Sequence, residues 1–256
     1  MNNPKIDLWN ANLYDQSHSF VSAYGQVLVE LLKPTSGEQI LDIGCGTGDL
    51  VNVIAEAGAH VTGIDASENM VQQAKAKYPG IHFEQMDATK LTFVSEFDAV
   101  FSNATLHWIK TPVPVVEGVY QSLKDGGRFV AEFGGKGNVQ SITDVLIAQM
   151  KLAGIPFTND DFPWYFPSIG EYTTLLEAEG FRVELAHHYD RPTKLDGELG
   201  LYNWLAMFSP GLFAQVEDEV KERIFKATIE KLRPTLFKDG DWYADYKRLR
   251  VVAYKI

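Results

Sequence analysis

The chain has 256 residues, and 45% of them are hydrophobic, which allows one domain with an insertion or two small domains around a substantial core. Its formal net charge of −11 argues against binding to nucleic-acid backbones, because phosphates require a basic surface. No apolar run is long enough to span a bilayer, and one cysteine cannot form an internal disulfide, so we expect a cytoplasmic protein without membrane attachment.

The first predicted element is an amphipathic helix that runs from Phe20 to Leu32. Aromatic residues occur along the segment that contains it: Trp9, Tyr14, Phe20 and Tyr24. Their spacing alone favours packing against the edge of a sheet.

A strand, a glycine turn and a helix follow from residue 40 to residue 58. The run from Ile40 to Ile43 is apolar except for Asp42, and it predicts a buried strand. Three alternate glycines come next, which are Gly44, Gly46 and Gly48. Glycines let the backbone approach a ligand closely, and the start of a helix offers free N–H groups. The stretch therefore predicts the first unit of a nucleotide-binding α/β sheet.

The glycine spacing and Asp42 indicate the class of ligand. A dinucleotide loop has the pattern G-x-G-x-x-G and receives a pyrophosphate at the helix start, whereas the third glycine here comes one residue early. A carboxylate at this place would repel a pyrophosphate but suits an ammonium or a sulfonium. S-adenosylmethionine carries both cations and no phosphate. The alternative is a glycine turn that occurs by chance in another α/β domain.

The stretch LDIGCGTGD resembles the first motif of the class I S-adenosylmethionine-dependent methyltransferases. The resemblance implies S-adenosylmethionine as the cofactor, with contacts from Asp42, Gly44, Cys45 and Gly46. It also implies that the N-terminal segment folds over the cofactor as a lid. Tyr14 is then a candidate for the sulfonium end, because aromatic faces attract cations, and His18 and Tyr24 are candidates for the substrate pocket.

The second predicted strand, Ala59 to Ile64, ends at Asp65, seventeen residues after Gly48. An acid about twenty residues after a glycine loop reaches the ribose hydroxyls of a bound nucleoside, so Asp65 and its neighbour Ala66 are predicted cofactor contacts. Ser67 is expected to cap the next helix. Met70, in the first turn of that helix, is expected to pack on the adenine, although a methionine there is often only part of the core.

Two further strands are expected to end in site residues. After the third strand, Ile81 to Gln85, the resemblance implies that Asp87 and Ala88 meet the adenine; the alternative for Asp87 is a solvated turn. The fourth strand, Phe97 to Phe101, runs into SNATLHW, which resembles the fourth motif of the family. The resemblance implies that Asn103 holds the methionine amino group of the cofactor. It also places His107 and Trp108 towards the methyl acceptor.

The alternation of strands and helices up to the fifth strand, Arg128 to Phe133, requires a parallel sheet. The expected fold is therefore α/β, a Rossmann-like doubly wound sheet of seven strands with the last strand antiparallel and a helical cap insertion. We expect residues 1–133 to form the lid and cofactor-binding core. Residues 134–240 would form the cap and substrate region, including the sixth strand, and residues 241–256 the closing strands.

The region after residue 133 is less regular. Residues 134–170 are rich in Gly, Asn and Pro, and no helix or strand is predicted there. The later elements are predicted as a helix at 171–179, a strand at 181–187, helices at 199–208 and 211–232, a hairpin-like turn at 239–240 and a closing strand at 248–254.

The insertion either adds packing or caps the acceptor site, and we favour the cap. Two stretches follow one another in this part of the chain, RPTKLDGELGLYNWLAMF and then DWYADYKRLRVVAYKI. Their order resembles that in trans-aconitate methyltransferase-like enzymes. Trp164, Arg191 and Trp204 are the predicted pocket residues of this region. Lys136, Arg191 and Lys194 are cations that would suit an acidic acceptor.

A carboxylate acceptor is already ionised at neutral pH and needs no base, whereas a phenol or an amine would benefit from one. His107 is the candidate base, and a purely structural role for it is the alternative. The histidines and the cysteine have no metal-ligand spacing, so no metal is predicted. We expect a methyltransferase for a small molecule, acting on a carboxylate oxygen. The alternatives are a phenol or amine methyltransferase, a non-catalytic cofactor-binding protein and, more remotely, a nicotinamide oxidoreductase.

Overall fold

The computed structural model describes residues 19–256, with side chains from residue 25 onward. The predicted lid residues Tyr14 and His18 lie outside the described residues, and so does the side chain of Tyr24. No helix among the described residues combines the length and the apolar character needed to cross a membrane.

Strands and helices alternate through the first half of the described chain. The strands are β1 (Gln39–Ile43), β2 (His60–Asp65), β3 (His82–Gln85), β4 (Phe97–Asn103), β5 (Leu123–Gly134), β6 (Phe181–Asp190), β7 (Thr193–Leu195), β8 (Phe237–Lys238), β9 (Asp241–Ala244) and β10 (Lys247–Lys255). The helices are α1 (Ser19–Leu32), α2 (Asp49–Glu56), α3 (Glu68–Lys77), α4 (Pro112–Ser122), α5 (Gln140–Leu152), α6 (Ile169–Glu179), α7 (Gly200–Phe208) and α8 (Asp218–Leu236).

Seven of the strands form one sheet in the order β3-β2-β1-β4-β5-β10-β6. The pairs from β3 to β5 are parallel, and Asp42 of β1 lies opposite Gly63 of β2 and Phe101 of β4. One strand of the sheet is antiparallel to the rest. The predicted Rossmann-like sheet is thereby confirmed. Its parallel strands end at one edge, where β1 leads into the glycine loop.

Several predicted elements differ from the structure. Residues 134–170 contain α5, because Ile142, Leu146 and Met150 recur every four residues and form a buried face. The helix predicted from residue 211 begins at Asp218, after a separate 3₁₀ turn at Pro210–Phe213. Strand β5 begins at Leu123 rather than at residue 128, because Leu123 already pairs with Phe97 of β4, before an irregularity in the register of the two strands. Strand β7, which has only three residues, was not predicted from the sequence.

The chain divides into two compact units. Of the described residues, the first unit contains 19–133, 167–187 and 249–256, and the second contains 134–166 and 188–248. In the first unit, α1 contributes Leu28 and Leu32 to a core that also contains Ile40 and Phe101. Burial of these apolar side chains stabilises the contact between helix and sheet.

The second unit contains α5, α7, α8 and a small antiparallel sheet in the order β7-β9-β8. Helix α5 packs along α8, and Trp242 of β9 is almost fully buried. The predicted role of residues 134–240 as a cap stays a prediction.

Candidate functional site

The glycine loop after β1 is tied to the neighbouring strand. The N–H groups of Gly44 and Cys45 both donate to the carbonyl oxygen of Ile64, over 2.8 and 3.0 Å. Gly44 has a φ of 78°, and a Cβ atom there would lie 2.1 Å from Thr105 Oγ1. Gly46 has a φ of 55°, and a Cβ atom there would meet nothing within 4 Å. At Gly44 the loop therefore packs against Thr105 and has no room for a side chain, whereas beside Gly46 there is free space. A ligand could approach the backbone of the loop at Gly46.

Asp42 is a buried carboxyl group at the start of this loop. Its side chain is 2% exposed, and it makes no hydrogen bond to any other described residue. Burial, and after it the negative charge of Asp65, raise the pKa of Asp42 to about 8. A buried carboxyl without a partner is costly, and a cationic ligand would supply the missing charge.

Asp65 lies at the end of β2 and contacts the same loop. Its Oδ2 atom accepts a hydrogen bond from the N–H of Gly46 at 3.0 Å, and its Oδ1 atom accepts one from the N–H of Ser67 at 2.8 Å. Each carboxylate oxygen has capacity for a second donor, such as a hydroxyl. Ser67 caps α3 as predicted, since its Oγ accepts from the N–H of Met70. Met70 is buried and Ala66 is exposed.

Asp87 follows β3 and caps a short 3₁₀ turn, Ala88–Lys90. Its Oδ1 atom accepts from the N–H and the hydroxyl of Thr89, over 3.0 and 2.7 Å. Asp87 is exposed to solvent, whereas Ala88 is buried. The predicted contact of both residues with an adenine is compatible with this position and stays a prediction.

The end of β4 is joined to β1 and β5. The hydroxyl of Ser102 donates to the carbonyl oxygen of Ile43 at 2.8 Å, and Asn103 lies opposite Glu132 of β5. The next residue, Ala104, has a φ of 57°, which is unfavourable for a residue with a side chain. Its N–H donates to the carbonyl oxygen of Glu132 at 2.7 Å and so holds the strained turn. Strain of this kind concentrates at functional sites.

His107 and Trp108 follow in a 3₁₀ turn, Leu106–Trp108. The side chain of His107 is 7% exposed, and its ring centroid is 5.5 Å from that of Trp108. The structure thus brings five predicted residues, Asp42, Asp65, Asn103, His107 and Trp108, to the carboxyl ends of neighbouring strands or to the segments that follow them.

A buried ion pair in the first unit was missed by the sequence analysis. Glu132 is 2% exposed, and its Oε2 atom accepts from Nε of Arg250 at 2.7 Å. The Nη2 atom of Arg250 is 2.5 Å from the same oxygen. The signal was the acid within the otherwise apolar run FVAEF, because a buried carboxylate in a strand requires a partner.

The remaining predicted residues belong to the second unit. The ring centroids of Trp164 and Trp204 are 6.2 Å apart, and both side chains are buried. The backbone N–H of Arg191 donates to the carbonyl oxygen of Tyr246. Lys194 forms an ion pair with Asp241 at 2.8 Å, which raises the pKa of Lys194. The predicted contacts of this unit with an acceptor stay predictions.

The residues of the first unit suit a nucleoside with a positive charge. The glycine loop leaves room beside Gly46 for a ligand, and Asp65 provides acceptors for ribose hydroxyls. Asp42 provides a buried carboxyl group that a positively charged ligand would ionise. Among the described residues, no group of three or more His, Cys, Asp or Glu is placed to hold a metal ion.

Comparison with known proteins gives matches over the same region and over the whole chain. Residues 41–131 match the family model described as a methyltransferase domain. An uncharacterized methyltransferase of Schizosaccharomyces pombe is 35% identical over 263 residues, which cover 97% of this chain and 98% of the relative. A trans-aconitate 2-methyltransferase of Rhizobium rhizogenes is 27% identical over 264 residues, 96% of this chain and 99% of the relative.

Among solved structures, a putative methyltransferase from Bacillus halodurans has a similar fold. The TM-score is 0.63 at 18% sequence identity, and the match covers 90% of this chain and 97% of the other. At this identity the similarity concerns the fold alone.

Proposed function

The chain belongs to the class I S-adenosylmethionine-dependent methyltransferases, and we propose that it methylates a carboxylate oxygen of a small molecule to give a methyl ester. The cofactor supplies a methyl group on a sulfonium, which a nucleophile displaces in line. The task of the protein is to bind the cofactor, to orient the acceptor and to exclude water.

The observation that carries the cofactor part of the proposal is the buried carboxyl of Asp42, which has no partner among the described residues. We assign Asp42 to the positive end of the cofactor and Asp65 to its ribose hydroxyls. Gly44, Cys45 and Gly46 would contact the cofactor through their backbone, and Asp87 and Ala88 would contact the adenine. The remaining cofactor contacts that we assign are Tyr14, Ala66, Met70 and Asn103.

The carboxylate acceptor is supported by two arguments. The Rhizobium rhizogenes relative, a trans-aconitate 2-methyltransferase, matches this chain over nearly its full length. A carboxylate is also an ionised nucleophile at pH 7, so that transfer requires orientation but no proton acceptor. His107 and Trp108 would then bound the acceptor rather than activate it.

A phenol or amine acceptor with His107 as general base is the competing proposal, because His107 is buried beside the end of β4. The pH dependence of the rate separates the two. A carboxylate acceptor predicts a rate that is flat from about pH 6 to pH 8, well above its own pKa. A rate that rises through the pKa range of histidine and collapses in the His107→Ala variant would contradict the carboxylate proposal.

A further inference from the structure

Gly25 lies inside α1, at a place where this helix comes very close to two neighbouring elements of the first unit. Helix α1 packs against both α2 and β4. A Cβ atom at residue 25 would lie 2.5 Å from Cδ1 of Leu50, in the first turn of α2, and 3.1 Å from Nδ2 of Asn103, at the end of β4. Alanine forms helices better than glycine, so a glycine inside a helix needs another reason, and this close approach supplies one.

Helix α1 has little freedom to move away from these neighbours. Its side chains Leu28 and Leu32 are fully buried in the core of the first unit. Its C-terminal end is fixed by Arg128 of β5, whose Nε atom donates to the carbonyl oxygen of Leu32 at 2.7 Å and whose Nη2 atom donates to that of Lys33 at 3.2 Å. A methyl group at residue 25 would therefore displace the side chains in front of it rather than the helix.

The displaced atoms would be the ends of two half-buried side chains, Leu50 and Asn103. Such ends move by rotation between staggered conformations, without a change of the backbone. The backbone at residue 25 is helical, which suits alanine. We therefore expect a Gly25→Ala variant to fold, with the Asn103 amide displaced just before the strained turn at Ala104.

We propose that Gly25 is a positioning residue for the cofactor. Because it has no side chain, α1 lies directly against the amide of Asn103 and fixes how this amide meets the amino group of the cofactor. An ammonium group only donates, so it requires the amide oxygen, and the amide nitrogen is the atom that lies against Gly25. The inference rests on the proposed function, in which Asn103 contacts the cofactor. Gly25 takes no part in the methyl transfer itself.

The test is a double-mutant cycle in which calorimetry measures the binding of S-adenosylhomocysteine, which keeps the amino group of the cofactor. The four proteins are the wild type, Gly25→Ala, Asn103→Ala and the double variant. Each single substitution is expected to weaken binding about tenfold, as the loss of one hydrogen bond to a charged group does. In the Asn103→Ala background, Gly25→Ala is expected to change the affinity less than about twofold, because the amide through which it acts is absent.

Gly170→Ala is the matched control. Gly170 also lies in a helix, α6, but a Cβ atom there would meet no atom within 4 Å, so this variant is expected to bind as the wild type does. The side-chain amide signals of Asn103 are followed by ¹⁵N–¹H NMR without ligand and are assigned with Asn103→Ala. They are expected to shift in Gly25→Ala and to stay in place in Gly170→Ala.

A thermal melt of each variant checks folding. If Gly25→Ala does not fold, Leu50→Ala is added to all four proteins, because it removes the nearest clash.

An unchanged affinity of a folded Gly25→Ala variant would overturn the inference. An equal loss in both backgrounds would also overturn it, because Gly25 would then act through packing alone. If Asn103→Ala binds as the wild type does, the assignment of Asn103 fails and the inference fails with it. If S-adenosylhomocysteine does not bind the wild type at all, the proposed function itself is contradicted.

Discussion

Replacing Asp42 by asparagine tests the electrostatics of the cofactor site without any substrate. The carboxyl has a pKa of about 8 in the folded protein, against 3.8 for an ordinary aspartate. The folded state thus holds the proton more tightly than the unfolded chain. Tighter binding of this proton stabilises the folded state. The stabilisation is fully present below pH 3.8 and is lost as the pH rises through 8.

The magnitude follows from the difference between the two pKa values. Between pH 5 and pH 8 the free energy of unfolding falls by about 1.4 kcal/mol for each pH unit, or about 4 kcal/mol in all. Asparagine has a similar shape and does not titrate. The free energy of unfolding of Asp42→Asn, relative to that of the wild type, should therefore rise by this amount over the same range.

Urea unfolding of both proteins without cofactor, at pH 5, 6, 7 and 8, measures this difference. Asp218→Asn is the control, because Lys221 lowers the pKa of the exposed Asp218, so any effect is smaller and opposite in sign. S-adenosylmethionine should bind the wild type more tightly as the pH rises, because its positive charge favours ionised Asp42. Parallel stability curves for the wild type and Asp42→Asn would refute the reasoning.

Three further substitutions test other parts of the site. Asp65→Ala should weaken binding of S-adenosylhomocysteine by about 1.5–3 kcal/mol for each hydrogen bond lost, and calorimetry that finds an unchanged dissociation constant would contradict its assignment to the ribose. Gly44→Ala should destabilise the fold by at least about 2 kcal/mol, because it forces a left-handed backbone on alanine and a clash with Thr105. Gly80→Ala is the control, because a methyl group added at Gly80 would meet no atom within 4 Å. Equal melting temperatures of the two variants would argue against this reasoning. Glu132→Gln should destabilise the fold by about 3 kcal/mol, because the half-buried Arg250 would lose the charge of the buried Glu132 carboxylate, and a free energy of unfolding like that of Asp218→Asn would rule this out.

The sequence predicted the part of the fold that depends on local patterns. The apolar strand before the glycines, the acid at residue 65 and the cap at Ser67 are encoded within a few residues of one another, and the structure has each in the expected element. The parallel direction of the strands up to β5 followed from their alternation with helices.

The errors occurred where the local pattern was weak or where contacts join distant residues. Helix α5 has a clear four-residue repeat, but the glycines, Asn138 and prolines around it obscured the pattern. Strand β7 has three residues, too few to show a period. The contacts of Glu132 with Arg250 and of Trp204 with Tyr246 join residues 118 and 42 positions apart, and no spacing rule predicts such pairs.

The most direct test of the proposed function is the chemical nature of the methylated product. The protein is incubated with S-adenosylmethionine that carries a labelled methyl group and with a panel of small carboxylic acids, and each product is then treated with mild base. A methyl ester releases labelled methanol, whereas a methyl ether or a methylated amine keeps its label. We predict that S-adenosylhomocysteine forms together with a product that releases its label in base. A product with a base-stable label, or no S-adenosylhomocysteine with any acid in the panel, would contradict the proposal.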